Sequence, residues 1–215
     1  MQRYDAVVFD LDGTLVDTER KGMEAGRDAL AELGHDVPLE HMYRLVGRDQ
    51  ASGDAILTEI VGGKISFADL LPRWRVHYER RFTNGIPLMP GASDLLDHLQ
   101  REGMKRAIAT SSRMKPARRK LDQSGIAHLF EVVVTFDCVS NPKPAPDAYL
   151  RAAGLLGFDP ARCLAFEDSD TGAASARAAG MTVVQIPDIL PTEGSHAHHV
   201  ATDLISGARA AGLLR

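Results

Sequence analysis

The chain has 215 residues, of which 44% are hydrophobic and 25% charged, and its formal net charge is −4. This length allows one full core and a modest second domain, and the composition is that of an ordinary globular protein. The acidic balance disfavours nucleic acid or an anionic membrane as the main partner. Small phosphorylated ligands stay open, because they need only local positive charge.

The sequence also bears on localisation. Two cysteines, Cys138 and Cys163, are too few for a disulfide framework in a chain of this size. The opening MQRYDAVVFD runs directly into an apolar segment, without the charged head, long apolar core or cleavage site of a signal peptide. No run approaches the roughly 20 apolar residues of a membrane span. We therefore expect a soluble, cytoplasmic protein.

Short apolar runs alternate with longer segments of helical periodicity. Five runs are apolar throughout, as is typical of strands buried on both faces of a parallel sheet. These strand candidates are DAVVFD, KRAIATS, EVVVTF, RCLAFED and MTVVQIP. Helical segments between them end at Gly103, Gly157 and Gly180. The alternation predicts an α/β fold with a doubly wound, Rossmann-like parallel sheet.

Residues 17–84 break this alternation and show only amphipathic helical segments. Trp74 and Tyr78 recur there with other apolar residues at three- or four-residue spacing, and Pro72 predicts a break or a kink. We interpret 17–84 as an all-α domain inserted after the first strand, with Trp74 and Tyr78 in its core. The remaining residues form the predicted α/β core: 1–16 and 85–215.

Polar residues follow four of the predicted strands. The carboxyl ends of parallel strands meet at one edge of a sheet, where ligands bind. The residues delivered there are Asp10, Asp12, Gly13 and Thr14, then Thr110, Ser111 and Ser112, then Lys143 in NPKPAP, and finally Glu167, Asp168 and Asp170. We therefore expect up to five carboxylates, several hydroxyls and one lysine in one crevice.

The charges of such a crevice require compensation. Two like charges 4 Å apart repel by roughly 4 kcal/mol at an effective dielectric constant near 20, so some carboxyls stay protonated or cations enter the site. Oxygen ligands favour Mg²⁺, which takes one or two carboxylates plus waters and phosphate oxygens. Lys143 adds positive charge, and Thr110 with backbone N–H groups near Gly13 can donate to phosphate oxygens. These residues predict a Mg²⁺-assisted site for a phosphoryl group.

The pair Asp10 and Asp12 suggests how that group reacts. One carboxylate attacks phosphorus and forms an aspartyl phosphate, while the other protonates the departing oxygen and then activates water. These roles need one carboxyl group to be ionised while the other is protonated. Repulsion between the two carboxylates helps, because it keeps the pKa of one of them high. The two-residue spacing lets both side chains reach one phosphoryl group from the end of one strand.

Taken together, the motifs resemble those of haloacid dehalogenase superfamily hydrolases. DLDGTLVDT, a threonine at the end of a later strand, the lysine of KPAPD and the acidic EDS follow in the order of that family, across essentially the whole chain. The helical insert is similar to the cap of the subgroup that includes phosphoglycolate phosphatase and β-phosphoglucomutase. The resemblance implies that Asp10 is the nucleophile and Asp12 the general acid/base.

The resemblance also implies roles for the other residues of the crevice. Phosphate-binding residues would be Gly13, Thr14, Thr110, Ser111 and Lys143. Mg²⁺ would be held by Asp10, the Asp12 carbonyl and Asp168, with Glu167 in its outer shell. Leaving-group recognition falls to the cap, where Arg48 in LVGRD is the strongest candidate, with Arg20 and Lys21 weaker ones and Ser112 a possible contact from the core.

Several residues have plainer interpretations. Asp170 is expected to cap the helix that follows it. A basic set is expected to form a solvated helix face: Arg113, Lys115, Arg118, Arg119 and Lys120. His196, His198 and His199 have a spacing seen in metal sites, but their Gly- and Ser-bearing setting favours a surface loop.

We expect a Mg²⁺-dependent phosphatase that hydrolyses a small phosphomonoester, such as a sugar phosphate, through an aspartyl phosphate. A sugar phosphomutase is the alternative, although the cap histidine that helps to gate such a mutase corresponds, by counting from the first motif, to Gly22. A non-catalytic phospho-acceptor regulator is a third possibility, but such receivers carry their acceptor on a middle strand and lack a helical insert. The expected partner is a small phosphorylated metabolite, and the oligomeric state stays open between a monomer and a small homo-oligomer.

Overall fold

The computed structural model describes residues 3–46, 50–63 and 65–215. They divide into two compact units. The α/β unit comprises the chain up to Asp17 together with Ile86–Arg215, and the helical unit is Thr18–Gly85. Arg48, the predicted substrate contact, lies outside the described residues. Across the described ranges, no helix is both long and apolar enough to cross a membrane.

A parallel sheet lies at the centre of the α/β unit, with six strands in the described chain. They are β1 (Ala6–Phe9), β2 (Lys105–Ala109), β3 (Val132–Val134), β4 (Cys163–Glu167), β5 (Thr182–Gln185) and β6 (His199–Val200). Their order is β3-β2-β1-β4-β5-β6. The strands that follow β1 build first one side of the sheet and then the other, so the order reverses at β1. Ligands of doubly wound sheets bind at such a point. The predicted α/β fold is confirmed.

The helices complete both units. In chain order they are α1 (Glu19–Glu32), α2 (Leu39–Met42), α3 (Gln50–Val61) and α4 (Phe67–Arg81) of the helical unit, then α5 (Ala92–Arg101), α6 (Met114–Gln123), α7 (Asp147–Leu156), α8 (Asp170–Ala178) and α9 (Leu204–Ala210) of the α/β unit. Short 3₁₀ turns connect some of them.

Small side chains fill the core between one face of the sheet and helices α7 and α8. Ala6 and Val8 of β1 are fully buried on this face, and alanines of the two helices pack against them. Side chains this small let the helices approach the sheet closely. Tyr149 of α7 is the largest fully buried side chain among them. Its ring is therefore fixed beneath the strand ends.

Aromatic rings tie the ends of β1 and β4 together. The ring of Phe9 stacks on that of Phe166 with 5.2 Å between the centroids. Phe130 meets Phe9 edge to face at 6.2 Å. Because Asp10 directly follows Phe9 and Glu167 directly follows Phe166, this packing fixes the points from which both acidic side chains leave the sheet.

In the helical unit, α1 and α4 pack against each other through a close approach at Gly26. A Cβ atom at Gly26 would lie 2.6 Å from the Trp74 ring and 2.7 Å from Met42. The Trp74 indole N–H donates to the Gly22 carbonyl at 2.7 Å. Trp74 is half-buried against the core of this unit, as predicted.

The predicted break or kink at Pro72 is wrong as a break, because α4 is continuous from Phe67 to Arg81; the kink stays a prediction. Its first turn is held by a capping box: Ser66 accepts from the Asp69 N–H, and the Asp69 carboxylate accepts from the Ser66 N–H. This cap satisfies helix N–H groups that would otherwise lack a partner. The start of the helix is therefore stable independently of the proline.

Two smaller expectations also need correction. His199 belongs to β6, where it pairs with Val184, and His198 Nδ1 accepts from the Val183 N–H at 3.0 Å. The loop prediction is therefore wrong for His199, whereas His198 lies in an exposed bend just before the strand, as predicted. The cap of α8 is Ser169, not Asp170, because Ser169 has an extended backbone and its hydroxyl accepts from the Gly172 N–H at 3.1 Å.

Candidate active site

Asp10 is a buried carboxylate at the end of β1. Its N–H donates to the Phe166 carbonyl at 2.9 Å, which continues the pairing with β4. Its side chain is 9% exposed, and Lys143 Nζ donates to Asp10 Oδ1 at 2.7 Å. Burial raises the pKa of Asp10 to about 7, against the opposing charge of Lys143. Positive charge added beside Asp10 would favour its ionised form, which a nucleophile needs.

Lys143 joins Asp10 to Glu167. Lys143 Nζ lies 2.5 Å from Glu167 Oε1, and the two side chains are only 5% and 1% exposed. Burial lowers the pKa of Lys143, but the charges of Asp10 and Glu167 outweigh burial and raise it. The lysine is therefore charged in this buried position. Tyr149 Oη donates to Glu167 Oε1 at 2.7 Å.

Glu167 is enclosed by the first turn of α8. Its Oε2 accepts from the Asp168 N–H at 3.2 Å and from the Ser169 hydroxyl at 3.2 Å. A Cβ atom at Gly172 would lie 1.9 Å from Glu167 Oε1. Only glycine therefore lets the carboxylate lie against the helix. Because both oxygens are hydrogen-bonded within the protein, the Glu167 carboxyl group is held in one position.

Asp168 completes an acidic cluster with Asp10 and Glu167. One carboxylate oxygen of each lies within 4.8 Å of the others. Gly13 has φ +76°, and a Cβ atom there would lie 2.5 Å from Asp168 Oδ2. Glycine at position 13 is thus required by the backbone and by the approach of Asp168. A set of oxygen donors fits a hard cation such as Mg²⁺.

Asp12 has surroundings different from those of Asp10. Its Oδ2 accepts from the Ser112 hydroxyl at 2.8 Å, and its Oδ1 accepts from Lys120 Nζ at 2.6 Å. Lys120 Nζ also donates to the Ser112 hydroxyl at 3.0 Å. The side chain of Lys120 is 18% exposed. The prediction that Lys120 lies on a solvated helix face is therefore wrong.

The residues predicted to bind phosphate have varied surroundings. The Thr110 hydroxyl is buried and accepts from the Ser112 N–H at 3.0 Å, which leaves its own proton for another acceptor. The Thr14 hydroxyl is buried without a hydrogen-bond partner among the described residues. The Gly13 N–H donates to the Val16 carbonyl at 3.0 Å, and Ser111 is exposed. Their roles toward phosphate stay predictions.

Sequence reasoning missed Tyr149 and the contact of Lys120 with Asp12. Tyr149 lies two residues after KPAPD, on a buried helix face that is rich in alanine. Its polar hydroxyl group thus stands at a position where burial favours an apolar residue. Lys120 precedes Leu121, whose side chain is buried. A lysine next to the buried side chains of a helix can lay its aliphatic chain along them, so that its amino group reaches a nearby strand end.

Comparison with known proteins identifies the family. The model of the haloacid dehalogenase-like hydrolases matches residues 4–180. Hexitol phosphatase A of Escherichia coli is 37% identical over 186 residues, which cover 86% of this chain and 83% of the relative. The fructose-1-phosphate phosphatase of the same organism is 33% identical over 191 residues, covering 86% of this chain and 97% of the relative.

A solved structure extends the likeness to three dimensions. It is a HAD family hydrolase from Deinococcus radiodurans R1 with bound phosphate and sodium. It superimposes with a TM-score of 0.85 at 30% sequence identity, covering 99% of this chain and 96% of the other. With the family model matching most of the chain, the protein belongs to the haloacid dehalogenase-like hydrolases.

Proposed function

We propose that the protein is a Mg²⁺-dependent phosphatase that hydrolyses a small phosphomonoester through an aspartyl phosphate on Asp10. One observation carries the proposal: Lys143 is buried in contact with both Asp10 and Glu167, beside the carboxylate of Asp168. Burying several charges together is costly unless they are paired. Perturbed, buried ionisable groups at a strand-end crevice are typical of active sites.

Asp10, Asp168 and the carbonyl of Asp12 would hold the metal. Glu167 would support it from the outer shell, because its two oxygens already accept from Lys143, Tyr149 and Ser169. When bound, Mg²⁺ supplies positive charge that stabilises the phosphoryl oxygens. The carboxylate-only cluster is consistent with this hard cation.

The residues of the chain account for two balanced steps. A carboxylate oxygen of Asp10 forms a bond to phosphorus while the bond from phosphorus to the leaving oxygen breaks, and Asp12 gives its proton to that oxygen. Water then attacks phosphorus and gives a proton to Asp12, the Asp10–phosphorus bond breaks, and inorganic phosphate leaves. Lys143 and Thr110 bind the phosphoryl oxygens in both steps. The burial of Asp10 limits its access to bulk water before substrate binds.

The names of the relatives support a phosphorylated sugar or sugar alcohol as the substrate. Hexitol phosphatase A and fructose-1-phosphate phosphatase are named for esters of this class. In this proposal the helical unit takes the role of the cap and recognises the leaving group, as the family resemblance implies. Substrates of this class carry several hydroxyl groups, which polar side chains can bind.

The test is phosphate release from a panel of esters, with Mg²⁺ and with EDTA, for the wild type and for Asp10→Asn. The panel contains sugar phosphates, phosphoglycolate, nucleotides and both anomers of glucose 1-phosphate. We expect metal-dependent release from one class of ester, loss of release in EDTA and its recovery on adding Mg²⁺. Asp10→Asn should abolish release and keep the circular dichroism spectrum of the wild type.

Other outcomes would decide against the proposal. Full activity of Asp10→Asn would remove Asp10 as the nucleophile. Isomerisation of a sugar phosphate without phosphate release would identify a phosphomutase. No turnover of any panel member, with stable phosphorylation of Asp10 by acetyl phosphate, would identify a phospho-acceptor.

A further inference from the structure

We propose that Lys120, together with Ser112, is a positioning residue that fixes the carboxylate of Asp12; the inference rests on the proposed function, in which Asp12 is the general acid/base. Lys120 Nζ lies 2.6 Å from Asp12 Oδ1, and the Ser112 hydroxyl lies 2.8 Å from Asp12 Oδ2. The three groups form a closed triangle, since Lys120 Nζ also lies 3.0 Å from Ser112 Oγ.

Two hydrogen-bond donors restrict the orientation of the Asp12 carboxylate more than one donor could. The χ2 torsion of an aspartate is broad, so a single hydrogen bond leaves the carboxylate free to rotate. A donor on each oxygen fixes its plane as well as its position. The side chains of Lys120 and Asp12 are 18% and 20% exposed, so solvent screens this pair less than it screens a surface pair.

Both donors are anchored by the fold without help from Asp12. The Ser112 carbonyl accepts from the Phe136 N–H at 3.0 Å. Helix α6, which carries Lys120, begins with the Met114 N–H donating to Asp137 Oδ2 at 2.8 Å. Ala117 and Leu121 are the buried residues of α6, and their packing holds the helix in place. Ser112 and Lys120 are therefore a preformed support toward which Asp12 points.

The orientation of Asp12 matters for both chemical steps. A general acid must come within hydrogen-bonding reach of the leaving oxygen, and a general base must reach the attacking water. A displacement of about 1 Å at a reacting group can cost about 100-fold in rate. Removing Lys120 should therefore lower kcat by about 10- to 100-fold for an alkyl phosphate. KM should change little, because Lys120 acts on Asp12 and not on the substrate.

The experiment compares Lys120→Met with the wild type on fructose 1-phosphate, an alkyl ester, and on p-nitrophenyl phosphate. p-Nitrophenolate leaves without a proton, so the transfer of its phosphoryl group to Asp10 does not need Asp12. We expect Lys120→Met to keep the initial burst of p-nitrophenol, to show a slower steady state and to accumulate phosphoenzyme, visible by intact-mass spectrometry. On fructose 1-phosphate the variant should show neither a burst nor accumulation.

Lys115→Met is the matched control, because Lys115 is an exposed lysine on the same helix; it should behave as the wild type. Lys120→Arg should restore part of the lost turnover, since it restores a charged donor. Adding Lys120→Met to Asp12→Asn should leave the p-nitrophenol burst unchanged, because Lys120 acts through Asp12. Melting temperatures of all variants show whether each one is folded.

Three results would overturn the inference. One is normal turnover of both esters by Lys120→Met. Another is an equal loss of burst and steady-state rates on both esters, which would indicate a merely structural role. The third is a wild type that releases phosphate from no ester, which would overturn the proposed function as well. In the first two cases the active wild type keeps the proposed function, so the two failures are distinguishable.

Discussion

The strand ends of the α/β unit and the outer surface of the helical unit hold charged side chains in opposite ways. At the strand ends, Lys143 and Glu167 form an ion pair whose side chains are 5% and 1% exposed. In the helical unit, the pairs Arg44–Glu59 and Arg75–Glu79 have side chains between 43% and 79% exposed. Exposed pairs cost little to form and contribute little, whereas buried charges cost several kcal/mol unless well paired. Charges that a fold keeps buried at this cost are expected to serve its function. The comparison therefore identifies the strand ends of the α/β unit as the reactive region of the protein.

The largest effect is expected for Lys143→Met. This change leaves the carboxylates of Asp10 and Glu167 buried without their shared cation, so the free energy of unfolding should fall by about 3–5 kcal/mol. Phosphate release should be lost at the same time. Urea unfolding in EDTA, followed by circular dichroism, measures the first effect. Lys105→Met is the control, because the pair of Lys105 with Glu131 is exposed; equal stability losses in the two variants would remove the distinction between buried and exposed pairs.

A second prediction compares two helix glycines of the α/β unit. Gly172→Ala places a Cβ atom against the Glu167 carboxylate, so Glu167 or α8 must move, at a cost of about 1–3 kcal/mol and with a loss of turnover. Gly154→Ala, in α7, meets nothing within 4 Å and should stabilise the protein by up to about 1 kcal/mol through helix propensity. Thermal unfolding and phosphate release measure both variants. A stable, fully active Gly172→Ala would show that the Glu167 position is not tightly defined.

A third prediction concerns pH. Burial raises the pKa of Asp10 in the folded state to about 7, whereas an aspartate of the unfolded chain titrates near its ordinary value. The ionised Asp10 therefore destabilises the fold above pH 7, and this penalty fades as the pH falls through 7 and Asp10 takes up a proton. In EDTA, Asp10→Asn should be more stable than the wild type at pH 8, and the difference should shrink toward pH 4. A difference that grows on acidification would show that the folded pKa of Asp10 is depressed instead.

The sequence predicted the architecture well because buried parallel strands carry an uninterrupted apolar signal. β6 was missed, since it has two residues, His199 and Val200, and no such run. The contact of Lys120 with Asp12 was missed for another reason: the partners are 108 residues apart, and helix periodicity describes only which side of its own helix a lysine occupies. Pairing across strand ends depends on how α6 packs, which the local pattern does not contain.

The smallest effect is expected for Arg44→Met, which tests the other half of the comparison. Arg44 Nη1 donates to Glu59 Oε1 at 3.0 Å, so the pair is well formed. Both side chains stand in solvent, where screening and the lost freedom of two long side chains offset the attraction. The melting temperature of Arg44→Met should therefore equal that of the wild type, at low and at high salt. A clear decrease at low salt that disappears in high salt would show that exposed pairs do stabilise the helical unit, and burial alone would then not separate structural charges from reactive ones.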